Sequence, residues 1–154
     1  MPAVGGPMAS TNLSQGQQDH TTLLNHLRYT DLAIDGQDFE ELYRRFQTMS
    51  SFFTNDLERH FDLEERLLFP AALFKTDNLE VIRLVLSLQA DHAVLQLQAA
   101  YLVRQAEKGW EDMDDGAVAD FFLLLSSHVR KEASLLYPWL EERDEVIEHV
   151  VSRS

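Results

Sequence analysis

One segment of the chain occurs twice, and this repeat constrains the fold more than any other feature. The segment HFDLEERLLFP at residues 60–70 returns as HVRKEASLLYP at residues 128–138. A second pair, DHTTL at residues 19–23 and DHAVL at residues 91–95, runs beside it. Two stretches of about seventy residues therefore carry the same order of parts, which predicts a duplicated helical hairpin.

The spacing inside the longer segment places a His and a Glu on one side of a helix. His60 precedes Glu64 by four residues, and His128 precedes Glu132 by the same interval. Residues four apart are neighbours on a helix surface, so each pair can reach one bound ion. Four His and two Glu would form a nitrogen and oxygen ligand set suited to iron or another first-row metal. The candidate metal ligands are His20, His60, Glu64, His92, His128 and Glu132.

Composition excludes several classes of protein. The 154 residues are 45% hydrophobic and contain no cysteine, so the chain can build one core but no thiolate site or disulfide. The net charge of −13 disfavours nucleic acid and anionic lipid as partners. The sequence has no apolar run of membrane-spanning length and no signal peptide at its start, which predicts a cytoplasmic protein.

The periodicity predicts an all-α, up-down-up-down four-helix bundle with a short C-terminal helical extension. Residues 1–16, rich in Gly, Pro, Ser and Gln, are interpreted as a flexible leader to a single domain at residues 17–154. Asp38 is a candidate N-cap, Gly109 a candidate helix stop, and Pro70 is expected to kink or close the second helix. The predicted helices span about 17–33, 39–69, 79–108 and 117–138, and a further helical piece follows from Trp139.

Apolar residues recur at steps of three and four along these helices, as expected for the seam of a bundle. All four helices place a His on this seam, and an unpaired Glu there would be costly to bury. The second helix carries the longest seam, which reads Leu42, Phe46, Met49, Phe53, Leu57, His60, Glu64 and Leu67. In the fourth helix it reads Val118, Phe121, Leu125, His128, Glu132 and Leu135.

These residues also have structural interpretations that involve no metal. A single His on a helix seam is usually an ordinary core residue, and all six candidates could instead form a buried, salt-bridged network. His26 and His149 lie outside the seam pattern and are interpreted as surface residues. Asp19 and Asp91 are interpreted as capping or surface charges, and Glu65 as a solvated residue or an acceptor behind the ligands.

The two HxxxExxLL(F/Y)P segments and two DHxxL segments, in this order, resemble the hemerythrin-like family, also called HHE cation-binding domains. The resemblance covers roughly residues 17–140. It implies a non-haem di-iron centre inside a four-helix bundle, with an oxo or hydroxo bridge between two iron ions. It also implies that His20 and His60 bind one iron, that His92 and His128 bind the other, and that Glu64 and Glu132 bridge them.

One departure from the oxygen-carrying members concerns a fifth histidine, which they place one turn from its partner on the third helix. Here the positions one turn from His92 are Leu88 and Gln96. The resulting set of four His and two Glu is similar to that of di-iron proteins associated with the repair of nitrosative or oxidative damage. Those proteins carry a cysteine-bearing N-terminal segment, which this chain lacks.

The leading functional hypothesis is a di-iron domain that binds or reacts with a small oxidant, namely O2, peroxide or NO. The alternative is an enzyme that uses the same centre to decompose peroxide or to serve damage repair. A third hypothesis is an iron-storage or structural metal module. The sequence assigns no catalytic residue and no oligomeric state.

Overall fold

The computed structural model describes residues 5–109, 111 and 113–142 of the chain, and the side chains from residue 14 onward within those ranges. Four long helices account for nearly all of them, and no strand occurs in these ranges. Helix α1 is Gly5–Asp35 and α3 is Leu79–Lys108. Helix α2 covers residues 39–73 and α4 covers residues 115–141, and each is interrupted by π-helical turns.

The helices contact one another in a ring, which confirms the predicted all-α bundle. Helix α1 packs against α2 and α4, and α3 packs against the same two helices. Side-chain caps define the helix starts: Asp38 accepts a hydrogen bond from the Glu41 backbone N–H, and Asn78 accepts from Glu80 and Val81. Gly109 ends α3 with φ 122°, a conformation that favours glycine.

Helix α1 begins at Gly5 rather than at the predicted Gln17. The backbone of the proposed leader is therefore helical from Gly5, and the division into leader and domain at residue 16 stays a prediction. The residues before position 17 have no periodic pattern of apolar side chains, so the sequence did not predict a helix there. Gly16 is nevertheless buried where α1 meets α4. A Cβ on Gly16 would lie 2.5 Å from the Tyr137 hydroxyl oxygen, so glycine lets the two helices approach closely here.

The helices continue through the prolines of the repeat, so Pro70 does not close its helix, and a kink at Pro70 stays a prediction. Helix α2 continues through Pro70 to Leu73, and α4 continues through Pro138 to Glu141. A π turn precedes each proline, at Glu64–Leu68 and at Glu132–Leu136. The wider turn accommodates a ring that would otherwise meet the carbonyl four residues before it. The rest of the predicted C-terminal piece, residues 143–154, lies outside the described residues.

The same π turns shift the buried face by one residue. The predicted seam is buried from Leu42 through Glu64, but the next buried residue is Leu68, while Leu67 is only half-buried. In α4 the buried residue is Leu136, and the predicted Leu135 is 55% exposed. A π turn contains one extra residue, so the step from each Glu to the next buried residue is four where the predicted seam has three.

Two clusters of buried apolar residues fill the bundle, one on each side of the candidate ligands. The larger cluster surrounds Phe46, Leu95 and Phe121, and the smaller one surrounds Leu68 and Leu88. Along α3, His92 follows Leu88 of the smaller cluster and precedes Leu95 of the larger one. The six candidate ligands therefore occupy a polar layer between two apolar layers. Among the described residues, no helix is long and apolar enough to cross a membrane.

Candidate metal centre

The structure brings all six candidate ligands together, and none of them is more than 3% exposed. They form two groups of four whose potential ligand atoms lie within 4.8 Å of one another. Both groups contain Glu64 and Glu132, and these two Glu residues are fully buried. The first group is His20, His60, Glu64 and Glu132; the second is His92, His128, Glu64 and Glu132.

Each carboxylate faces histidines of both groups. Glu64 Oε1 lies 3.4 Å from His60 Nε2 and 3.2 Å from His92 Nε2. Glu132 Oε1 lies 3.3 Å from His20 Nε2 and 2.7 Å from His128 Nε2. Because the two Glu side chains stand between the histidine pairs, either carboxylate can contact a cation in each group at once.

Three of the four imidazoles have an acidic side chain behind them, on the ring nitrogen that faces away from the centre. His60 Nδ1 lies 3.0 Å from Asp19 Oδ2, and His128 Nδ1 lies 3.1 Å from Asp91 Oδ2. His92 Nδ1 lies 3.2 Å from Glu65 Oε1. A carboxylate can only accept, so each Nδ1 must donate, and each neutral ring then presents a bare Nε2 lone pair to the centre.

These positions correct one interpretation of the sequence. Asp19 and Asp91 are not caps or free surface charges, because each holds the seam His of the following helix. Lys131 also binds Asp91, at 2.7 Å. The signal was present in the repeat, since both DH pairs precede an HxxxE segment by a similar distance. For Glu65 the sequence left two interpretations, a solvated residue or an acceptor behind the ligands. The structure favours the second, because Glu65 accepts from the candidate ligand His92.

The buried centre fits a cation better than it fits an empty polar network. Among the described residues, neither oxygen of Glu64 or Glu132 has a hydrogen-bond donor, and neither do the Nε2 atoms of His20 and His60. The His92 and His128 Nε2 atoms lie only 3.2 Å apart, although both rings are oriented as lone-pair donors. Carboxylates and lone pairs that converge without donors are costly to bury, and a bound cation removes that cost.

Aromatic side chains hold the imidazoles from the apolar layers. Phe61 stacks on His92 with ring centroids 3.8 Å apart and an angle of 11° between the planes. Tyr137 meets His20 edge-on at 4.7 Å, and its buried hydroxyl has no hydrogen-bond partner among the described residues. Burial raises the pKa of Tyr137 well above its usual value, so the phenol stays neutral beside the centre.

The remaining two histidines are His26 and His149. His26 is half-buried on α1 and belongs to neither group, and His149 is outside the described residues. Of the two positions one turn from His92, Leu88 is fully buried and Gln96 is exposed. Leu88 therefore faces the interior at the position where a fifth histidine would lie.

Burial makes the metal-free centre sensitive to acid. It lowers the pKa of His20 and of His128 to about 4, more strongly than nearby Glu64 raises either value. Between pH 6.5 and pH 4 the unfolded chain therefore binds protons at these two residues that the folded chain does not. Stability then rises with pH in this window and is lost as the pH falls, by up to about 3 kcal/mol for each His.

We expect the melting temperature of the metal-free protein to fall between pH 7 and pH 4. The pKa of His60 is raised, because the Asp19 hydrogen bond and Glu64 outweigh burial, so this one residue acts in the opposite direction. The lowered pKa values of Glu64 and Asp19 add to the loss at acid pH. A melting temperature that stays constant or rises on acidification would contradict the prediction.

A four-helix bundle with a buried layer of His and Glu in its interior defines a class of helical cation-binding proteins. The chain matches the family described as the hemerythrin HHE cation-binding domain over residues 12–140, and it belongs to that family. The match spans all six candidate ligands and the carboxylates behind them. Comparisons with curated proteins and with solved structures found no match.

Proposed function

We propose that this protein holds a non-haem di-iron centre and uses it to bind or react with a small oxidant: O2, peroxide or NO. The observation that carries the proposal is the pair of buried ligand groups that share Glu64 and Glu132. His20 and His60 would hold one iron, and His92 and His128 the other. Imidazole and carboxylate ligands without thiolate suit iron among the first-row metals.

The surroundings of the centre favour a small ligand. All six residues are at most 3% exposed, so the described residues leave a large substrate no route to the centre without opening the bundle. An open cavity of about 310 Å³ lies between α1 and α4 and is lined by His20, Leu24 and Tyr137, among others. Iron bound at the centre would supply the electrons for reduction of an oxidant, while these apolar neighbours limit the access of water.

The aliphatic residue at position 88 favours reaction over reversible carriage. A fifth imidazole on one metal would confine the oxidant to the other metal. Leu88 cannot act as a ligand and Gln96 is exposed, so the protein supplies the same number of ligands to both metals. This equality supports the second candidate function, an enzyme that decomposes peroxide or serves the repair of oxidative or nitrosative damage.

Anaerobic reconstitution with ferrous iron tests the proposal. We expect about two irons per chain and an absorption spectrum that changes on addition of O2, peroxide or NO. In air the reduced protein should oxidise once, without returning to its starting spectrum under vacuum. An iron content of zero or one per chain, or spectra that respond to none of the three ligands, would overturn the proposal.

The same reconstitution separates the two candidate functions. Turnover of many equivalents of peroxide per chain would favour the enzyme. Repeated cycling between two spectra under alternating O2 and vacuum would instead overturn the expectation of irreversible oxidation and favour carriage. In that case a Leu88→His variant, at the position that faces the interior, should prolong the oxygenated spectrum.

A further inference from the structure

The contacts behind the four imidazoles follow the internal repeat with one exception. Asp19 and Asp91 occupy equivalent positions and bind His60 and His128, which are also equivalent. Glu65 binds His92. The repeat relates residue 65 to residue 133, which is an alanine, and so His20 has no carboxylate in the place where Glu65 serves His92.

The structure shows the consequence at His20 itself. His20 Nδ1 is buried and has no hydrogen-bond partner among the described residues. Ala133 and His20 line the same open cavity of about 310 Å³, so Ala133 lies beside the imidazole that lacks a partner. Glu65 and Ala133 are both exposed positions, which means that either residue type can stand at either site without being buried.

The missing carboxylate changes what His20 can do as a ligand. A carboxylate on Nδ1 fixes the tautomer, orients the ring and makes Nε2 a better donor to the metal. Loss of such a contact typically costs about 10–100-fold in metal affinity. His60, His92 and His128 have this support. Among the described residues no side chain binds His20 Nδ1, although its ring packs edge-on against Tyr137.

We infer that the two metal positions are inequivalent, with the His92–His128 position filling first and the His20–His60 position binding its metal more weakly because residue 133 is alanine. This inference rests on the proposed two-metal centre. Glu65 is a positioning residue, because it acts on the metal through His92. The weaker position also lies beside the open cavity, so it is the one that exchanges its metal with solution.

Two-step binding alone does not establish this order. A first cation repels a second one nearby, and this produces two steps even for identical positions. The inference therefore depends on which histidines respond first, and on whether the order follows the carboxylate when it is moved from residue 65 to residue 133.

Zinc is a suitable probe because it has no redox chemistry and is diamagnetic. The metal-free full-length chain, labelled with ¹⁵N in its histidines, would be titrated with Zn²⁺ and followed by the Nε2 resonances. With one equivalent, the resonances of His92 and His128 should shift, and those of His20 and His60 should shift with the second. The second dissociation constant should exceed the first by about tenfold or more.

The decisive variant moves the carboxylate from residue 65, in the first copy of the repeat, to residue 133, in the second copy. In the double variant Glu65→Ala/Ala133→Glu, His20 and His60 should respond first and His92 and His128 second. Glu65→Ala alone removes an exposed side chain and should bring the two affinities together, which keeps the test available if the double variant does not fold. His26→Ala, outside both groups, should leave the order unchanged.

Three results would overturn the inference: His20 and His60 responding first in the parent chain, simultaneous filling, or an order that the double variant leaves unchanged. These failures differ from failure of the proposed function. If the parent chain binds fewer than two zinc ions and fewer than two irons, the two-metal centre itself is wrong. If it binds two of each in an order independent of residues 65 and 133, only the inference about inequivalence fails.

Discussion

Replacing Glu64 by alanine is expected to remove both metals from the protein. Glu64 is fully buried, and its Oε1 atom lies within 3.4 Å of histidines from both ligand groups. A variant that lacks this carboxylate loses a ligand at both positions and half of the negative charge that the two Glu side chains supply. Glu132→Ala should have the same effect, because Glu132 contacts His20 and His128 in an equivalent way.

A variant of a residue that belongs to only one ligand group provides a comparison for Glu64→Ala. His20 belongs to one group only, so His20→Ala should retain about one metal per chain where Glu64→Ala retains none. Metal content after anaerobic reconstitution would be measured by elemental analysis, with circular dichroism to confirm that each variant is helical. His26→Ala is the control and should bind as the parent does. A fully metallated Glu64→Ala protein would refute the shared-carboxylate assignment.

Removal of the metals is expected to lower the melting temperature by about 10 °C. A ligand that binds only the folded state stabilises it by about 4 kcal/mol when present at a thousand times its dissociation constant. A domain of this size shifts by roughly 2–4 °C for each kcal/mol. The physical source of the effect is the set of buried carboxylate oxygens and lone pairs that have no donors among the described residues.

A matched variant separates this effect from a general action of the chelator. Glu64→Gln keeps the size of the side chain but removes a buried charge, so the variant should bind little metal and its melting temperature should not change with chelator. A parent protein whose melting temperature is unaffected by chelation would contradict the prediction.

The bundle and the residues at its centre could be predicted from the sequence. They follow from the repeated HxxxE segment and from the helical spacing of the apolar residues. The seam from Leu42 to Glu64 is buried as predicted, and all six candidate ligands converge. Their role as metal ligands, and the identity of the metal, stay predictions. The convergence was predictable because a His four residues before a Glu at a seam position leaves both side chains only the interior to occupy.

What the sequence did not reveal depended on contacts between helices or on departures from ideal geometry. At the π turn the step from Glu64 to the next buried residue is four, so Leu68 is buried where the predicted alternation of three and four placed Leu67. Asp19 contacts the candidate ligand His60, 41 residues away, so its role appears only when α1 and α2 are packed together. The burial of Gly16 is a similar case, because it depends on a close approach to Tyr137 of another helix and not on a pattern along α1.

The sharing of Glu64 and Glu132 also has a consequence for the order of events in folding. The first hairpin, α1 and α2, carries His20, His60 and Glu64, and the second hairpin carries His92, His128 and Glu132. Each hairpin alone offers three ligands, and the fourth member of each group comes from the other hairpin. If the proposed centre forms, neither hairpin alone supplies all four members of a group, so we expect metal to bind at full affinity only after the two hairpins have docked.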